Sequence, residues 1–315
     1  MLLQVLRRTA VFVVSAALAT VVVFAFMAVL PGDPARVALG IHATPEAVAA
    51  LRARFGLDRP LVMQYLDWMH GLPTGHFGRS YVTSDLIGPQ ILDRLQVTLW
   101  LVMAAVLISL LIALPLGIVS AVRHRRLSGV LLSGLSQVGV AIPSFLAGVL
   151  LVAVFAVRLR LLPSGGWTAP AEDPAMFLRQ LILPALSLGV VQGAVLTRYV
   201  RSAVLDVLRE DYLRTARAKG LGPYRALVRH GLRNASIPIV TVLGLQLATL
   251  LIGAVVVERV FVIPGLGSLL LDGVANRDLL LVQGVVMVLV VAVLLVNFAV
   301  DVLYTVLDPR LRRAR

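Results

Sequence analysis

The run VTLWLVMAAVLISLLIALPLGIVSAV, Val97–Val122, contains no charged residue, and its reading decides the fold. At about 1.5 Å per residue a helix of this length crosses the roughly 30 Å of hydrocarbon in a bilayer. Its polarity does not alternate as a barrel strand would. Lipid offers no partner to unpaired backbone groups, which leaves a helix. Five further blocks read the same way: Thr9–Leu30, Val130–Val157, Ile182–Val200, Ile237–Val257 and Val282–Val300. Across all six the only Lys or Arg is Arg198, at the end of the fourth block. The whole chain is 59% hydrophobic and 14% charged, with a mean hydropathy of +0.93, which excludes a soluble domain of 315 residues. The sequence predicts an all-α integral membrane protein with six transmembrane helices.

The net charge of +13 is distributed as a membrane topology and not as a nucleic-acid patch. Basic residues concentrate in four regions: Arg7 and Arg8; Arg123, Arg125 and Arg126; eight between Arg201 and Arg233; and Arg310, Arg312, Arg313 and Arg315. The intervening segments hold fewer, and in 31–96 six acids balance six bases. This alternation places both termini and the 123–129 and 201–236 loops in the cytoplasm. The chain has no cysteine, so disulfides, thiolate metal sites and a cysteine nucleophile are excluded. Lys219 is the only lysine, a bias that hints at a high-GC bacterial genome. Arg7-Arg8 before an apolar run has the outline of a signal peptide. The run is too long, however, and ends in Pro31-Gly32-Asp33-Pro34 without a small-residue cleavage site, so a retained first helix is expected.

The expected organisation is a first span (1–30), a helical segment outside the cytoplasm (31–96), a core of five spans (97–308) and a basic cytoplasmic tail (309–315). In the 31–96 segment Thr44-Pro45-Glu46 reads as a helix start and Gly56 as its stop. A second helix is expected from Pro60 to His70, stopped by Gly71. This layer either docks a partner or caps the helix ends. The 201–236 loop is longer than a connection needs. Asp206–Lys219 reads as one polar helix that stops at Gly220-Leu221-Gly222-Pro223, and Arg225, Arg229 and Arg233 mark one face of a second short helix. In 258–278, Ile263-Pro264-Gly265-Leu266-Gly267 predicts a turn, followed by an apolar helix too short to span. Pro115, Pro143 and Pro184 predict kinks.

Few polar side chains enter the spans: Gln137, Gln192, Gln246, Gln283, Asn297 and Asp301. Such residues are costly in lipid and face a bundle interior or a water path. Gln192, Gln246, Gln283, Asn297 and Asp301 are the candidates for the translocation path. Interhelical hydrogen bonding is the competing role for the glutamines, and Arg pairing or helix packing for Asp301. No chain of carboxylates crosses the membrane, so an ion-coupled carrier lacks its usual residues. The five histidines lie outside the spans at non-ligand spacing, which speaks against a metal site and an intramembrane Ser-His protease. No phosphate-binding Gly-x-x-x-x-Gly-Lys-Ser/Thr loop is present, so any ATP must be hydrolysed by another chain.

Glu210-Asp211-Tyr212-Leu213-Arg214-Thr215-Ala216-Arg217-Ala218-Lys219-Gly220-Leu221-Gly222, then Arg229-His230-Gly231-Leu232-Arg233-Asn234-Ala235 and Ile237-Pro238, resembles the cytoplasmic "EAA" loop of bacterial ABC importer permeases. Its form is similar to the dipeptide/oligopeptide/nickel branch. Leu30-Pro31-Gly32-Asp33-Pro34-Ala35, Gly56-Leu57-Asp58-Arg59-Pro60, Phe77-Gly78-Arg79-Ser80, Phe261-Val262-Ile263-Pro264-Gly265-Leu266-Gly267 and Asp308-Pro309-Arg310 extend the resemblance, to the B-type subunit, over nearly the whole chain. Arg214-Thr215-Ala216 stands where the general pattern has Glu-Ala-Ala. His76, Gln96 and Trp100 depart from the family's usual Asp, Pro and Glu, which puts details near the second span in doubt.

The resemblance implies the type I ABC importer permease fold, in the bacterial cytoplasmic membrane. It implies a non-catalytic subunit that carries no cofactor, pairs with a second homologous permease, and works with two cytoplasmic ATPases that bind ATP and Mg. An extracytoplasmic peptide-binding protein would deliver the cargo. Asp211, Tyr212, Arg214, Thr215, Ala216, Lys219, Gly220, Leu221 and Gly222 would then sit in a cleft of one ATPase and transmit its closure. Phe261, Pro264, Gly265 and Gly267 would form an outer segment or gate. Relatives carry di- and tripeptides, longer oligopeptides, glutathione, nickel chelates or haem, and di-/oligopeptides are the expected cargo. The competing class is a self-sufficient channel or secondary carrier, which the lack of ionisable residues in the spans disfavours.

Overall fold

The computed structural model describes residues 2–29 and 32–307. Leu30-Pro31, the Asp308-Pro309-Arg310 ending and the basic tail therefore lie outside the described residues. In chain order the helices are α1 (Leu2–Val29), α2 (Pro34–Leu39), α3 (Pro45–Phe55), α4 (Leu61–Gly71), α5 (Ile87–Val122), α6 (Leu127–Ala141), α7 (Ser144–Leu151), α8 (Pro174–Leu208), α9 (Asp211–Ala218), α10 (Pro223–Ala226), α11 (Leu232–Val260), α12 (Leu266–Ala275) and α13 (Leu279–Leu307). Among the described residues the only extended pairing is an isolated antiparallel bridge between Arg79 and Leu86.

Among the described residues five helices are long and apolar enough to cross a membrane: Leu6–Val29, Ile87–Val122, Pro174–Leu208, Pro223–Val260 and Leu279–Leu303. The sixth expected span is broken. Its halves, Leu127–Ala141 and Ser144–Arg158, meet at 96°. Pro143 lacks an N–H and disfavours helical backbone in the residue before it, so Ile142 (φ −89°, ψ 120°) and Pro143 (φ −61°, ψ 141°) are both extended. The expected kink is thus close to a right angle. Pro115 and Pro184, by contrast, lie inside continuous helices.

Three boundaries differ from the sequence expectation. α4 ends at Gly71, one residue later than expected and without a left-handed glycine: Gly71 is helical (φ −73°, ψ −28°), and a 3-10 turn carries the chain on to Gly75, at φ 72°. Gly71 is needed for space instead, since a Cβ there would lie 2.2 Å from the His76 carbonyl oxygen. Asp206–Lys219 is two helices: α8 ends at Leu208, Glu210 is extended (φ −64°, ψ 142°), and α9 starts afresh. The short helix expected after Gly222 is not separate, because α10, a π-helical turn over Leu227–Gly231 and α11 form one rod to Val260. Other local signals hold. Thr44 Oγ1 accepts from Ala47 N at 3.2 Å, and Gly56 ends α3 in the left-handed region.

The helices form two compact units. One contains Leu99–Ile263, with the first residues of α1 and the end of α13 from Val296. Its centre is α8, which packs against α6, α7 and α11. In its apolar window 61% of residues are buried, against 17% for α1. Gly189 and Gly193, one turn apart on α8, admit α5: a Cβ on Gly189 would stand 2.7 Å from Ile108 Cβ and one on Gly193 3.2 Å from Ile112 Cβ. Small residues at this spacing bring helices together in lipid, where the hydrophobic effect no longer drives association. Leu196, Val200, Val204, Leu227 and Ala235 continue this core. Met103, Leu107 and Leu111, by contrast, are exposed on one face of α5.

The other unit contains Thr9–Thr98 and Pro264–Leu295. Ile87, Ile91, Leu266, Leu269, Leu281 and Val285 form its larger core. Val23, Trp68 and Met287 form a smaller one, with Phe24 and Tyr65 packed against it. Leu266 N donates to Thr98 Oγ1 at 2.9 Å, which fixes the start of α12.

Candidate functional site

α9 is a short helix docked by two buried residues. Leu213 and Ala216, three apart, share one face and pack with Ala226, Val207, Leu208 and Leu221. Asp211, Tyr212, Arg214, Thr215 and Lys219 are all exposed. The expected coupling residues therefore divide by role. Ala216 and Leu221 hold the helix down, and the polar ones form its free face.

Both ends of α9 are fastened. At the start Arg217 reaches back, its Nη2 donating to the Leu208 carbonyl at 3.3 Å and its Nε to Leu213 O at 3.3 Å. At the end Leu221 N donates to Ala216 O at 3.3 Å and Gly220 N to Arg217 O at 2.9 Å. This pair, with Gly220 at φ 90°, is the Schellman ending that needs a left-handed residue, completed by apolar contact from Leu221. Gly222 then precedes Pro223 at the first helical position of α10. Asn234 Nδ2 donates to the Tyr212 hydroxyl at 2.9 Å, tying the free face of α9 to the base of α11. The Asp211–Arg214 pair (3.4 Å) is exposed on both sides and contributes little.

The expected path residues are divided between the two units. Gln192 on α8 and Gln246 on α11 are buried in the first unit, on helices that pack against each other. Both amide atoms of Gln246 have no partner among the described residues. Gln283 is buried in the second unit, and Gln137 and Asn297 are exposed. Asp301 pairs with Arg8, the Arg-pairing role weighed for it, with the Asp301 side chain 59% exposed.

The outer segment is divided as well. Phe261 belongs to the first unit, where its carbonyl accepts from Gly166 N at 2.9 Å. Glycines clear its place: a Cβ on Gly148 would lie 2.9 Å from the ring and one on Gly165 2.1 Å from the carbonyl oxygen. Val262, at φ 53° and exposed, turns the chain. Pro264, Gly265 and Gly267 belong to the second unit.

Two buried carboxylates escaped the sequence reading. Glu258 is fully buried near the end of α11. Asp278 caps α13, accepting from Leu281 N at 3.4 Å and Tyr81 N at 3.3 Å, and it takes a short hydrogen bond from Ser80 Oγ. Ser80 in turn accepts from Thr83 N (2.9 Å) and Val82 N (3.2 Å), so this residue of the Phe77–Ser80 motif anchors its loop to the last span. An acid just before an apolar helix was the available signal for Asp278. Burial pushes the Tyr81 hydroxyl up to about 12, with the Asp278 charge adding to it.

Two family models cover the chain: the binding-protein-dependent transport system inner membrane component over residues 113–313, and the N-terminal membrane component of the same systems over residues 1–102. The chain is 39% identical over 312 residues to the glutathione transport system permease protein GsiC of Salmonella typhimurium, covering 99% of each. Against the protein of the same name from Escherichia coli identity is 38% over 312 residues, with the same coverage. In structure it is similar to a chain of the methionine ABC transporter MetNI, with a TM-score of 0.56, 19% identity, and coverage of 69% of this chain and 96% of that one. That likeness shows the fold of the part it covers. The chain belongs to the binding-protein-dependent transport system inner membrane components, as an ABC importer permease of the dipeptide/oligopeptide/nickel family.

Proposed function

We propose that this permease forms half of the translocation pathway of an importer for short peptides, with glutathione, itself a peptide of three residues, as the first cargo to test. Near-full-length identity of 39% to permeases named for glutathione carries this reading. One buried side chain accords with it: Gln246 offers unspent amide groups that can replace water around a peptide backbone. Longer peptides and nickel chelates are the alternatives within the family.

The coupling role falls to α9. An ATP-hydrolysing subunit would grip the face formed by Asp211, Tyr212, Arg214, Thr215 and Lys219, while the Leu213/Ala216 face and the Gly220 ending transmit movement to α8 and α11. In this arrangement both termini lie in the cytoplasm with α9, and the 31–96 and 258–278 segments lie on the other side, facing an extracytoplasmic binding protein. A second permease and two ATPases complete the complex. This chain would stay free of catalytic steps and bind no cofactor of its own, ATP and Mg being held by the ATPases.

The test is uptake by the reconstituted complex, with labelled glutathione, a dipeptide, a longer peptide and a nickel chelate offered in turn. Uptake of glutathione that needs ATP and is competed by ordinary tripeptides is the expected result. Transport of the nickel chelate alone, or solute flux through this chain without its ATPases, overturns the reading.

A further inference from the structure

A cleft in the second unit lies apart from the coupling helix α9 and brings Gln283 beside α3 and α4. Two adjoining cavities, of about 390 and 610 Å³, share Phe24, Gln64, Tyr81, Leu280 and Gln283 as walls. One continues beside Met27 and Leu57, the other beside Trp68 and Phe77.

The charged groups around the cleft are already spent on one another. Arg52 donates to Asp33 and Asp58, both at 3.0 Å, and Arg59 to Asp67 at 2.5 Å. Gln64 is spent too, its amide nitrogen donating to the carbonyls of Leu57 and Arg59. Two donors are left over. Trp68 and Gln283 line the cleft and are more than nine-tenths buried, and Trp68 Nε1 and Gln283 Nε2 have no partner among the described residues. A buried N–H without an acceptor is costly, so such a pair implies a ligand that supplies one. With the charges neutralised and the leftover groups both neutral donors, the matching ligand is neutral where it touches them and rich in acceptors: carbonyl oxygens beside an apolar body.

The depth of the site selects among carbonyl ligands. Phe24 lies five residues inside the end of α1 at Val29, about 7 Å at 1.5 Å per residue. Gln283 lies one turn inside the start of α13 at Leu279. The interfacial layer on each side of the hydrocarbon is about 5–8 Å thick, and Trp and Tyr concentrate there. Phospholipid ester carbonyls occupy this layer. Beside the cleft Val62, Leu66 and Met69 on α4 are exposed at helical spacing, while Tyr65 and Trp68 pack on Phe24 from the same helix. An amphipathic helix so placed lies along a membrane surface with its apolar residues toward the acyl chains.

We propose that this cleft is a lipid site, in which the glycerol-ester region of a phospholipid from the adjacent leaflet accepts hydrogen bonds from Trp68 Nε1 and Gln283 Nε2 while its acyl chains run along Phe24, Met27 and Leu280. The site is independent of the cargo and of which side of the membrane the leaflet faces.

The test uses the full chain in nanodiscs made from equal amounts of a diester phosphatidylethanolamine and its dialkyl-ether analogue with the same chains. The ether lipid keeps the shape and loses the carbonyls. Lipid retained after washing is quantified by mass spectrometry. Wild type is expected to retain the ester form by roughly threefold to tenfold, the value of one to two neutral hydrogen bonds. Gln283→Leu, which keeps volume, and Trp68→Phe, which keeps an aromatic ring, each reduce the ratio, and the double variant brings it to about one. Equal retention by wild type, or a ratio unmoved in the double variant, overturns the proposal. So does displacement of the ester lipid by photoreactive trialanine that labels the cleft, because the occupant is then a peptide.

Discussion

Ala216→Leu tests the coupling reading where it is most exposed to failure. Ala216 is 9% exposed and packs with Leu213, Ala226 and Leu221 in the small apolar cluster that docks α9. Leu213, fully buried, contributes about 1.5–3 kcal/mol to docking. Adding three carbons beside it causes overpacking worth about 1–3 kcal/mol, which is comparable to the anchor itself. The docked helix is therefore disfavoured by roughly 5-fold to 150-fold at constant sequence elsewhere. Gly220→Ala reaches the same end by another cause. No atom lies within 4 Å of its Cβ, so only the backbone at φ 90° resists, at about 1 kcal/mol. The assay is paired: ATP hydrolysis and cargo uptake by the reconstituted complex, with trypsin cleavage after Arg217 and Lys219 reporting release of α9. Ala216→Leu is expected to speed cleavage and lower the uptake per ATP, with Gly220→Ala between it and wild type. Faster cleavage with unchanged uptake per ATP would refute the lever role, and unchanged cleavage would refute the packing argument beneath it.

Asp278→Asn weakens the acceptor of Ser80 Oγ and two backbone N–H groups, so a loss of about 1–3 kcal/mol is expected in thermal unfolding of the detergent-solubilised chain. Tyr81 ionises at about 12 when folded, against an ordinary value near 10, so the folded state holds its proton more tightly. Its contribution is therefore intact below about pH 10 and is lost as pH rises toward 12, by ~1–3 kcal/mol. Tyr81→Phe keeps the stacking on Phe55 (ring centroids 4.5 Å apart) and is expected to flatten that alkaline slope; an unchanged slope counts against the assignment. Gly165→Ala is expected to destabilise more than Gly148→Ala, because the first meets the Phe261 carbonyl at 2.1 Å and the second only a ring edge at 2.9 Å. Thermal shift of both variants checks the order, and Phe261→Leu is expected to relieve Gly148→Ala but not Gly165→Ala.

The spans were legible because lipid imposes one requirement on every residue of a crossing segment, and an uncharged run such as Val97–Val122 meets it in plain view. Local punctuation was legible for the same kind of reason: Thr44, Gly56 and Gly220 act on their own backbone, and each stands where the sequence placed it. The sequence also carried α9 as a motif, although it joined that helix to the end of α8. Propensity alone does not see that Leu213 and Ala216 fold back on Val207 and Leu208, which requires the break at Glu210.

What the tertiary structure alone decided is where side chains far apart in the chain meet. Gln192, Gln246 and Gln283 look alike as glutamines in apolar runs, yet Gln283 lies in a different unit and lines a cleft with α3 and α4. Ser80 and Asp278 are nearly two hundred residues apart and carry no shared pattern, yet one bonds the other. Pro143 gave notice of a bend, but its angle depends on what the two halves pack against. A residue's fit with the membrane is a property of its own neighbourhood and is written in the sequence. Its partner across a helix interface depends on how the helices approach, and that is settled by close packing such as that of Ile108 against the bare backbone at Gly189.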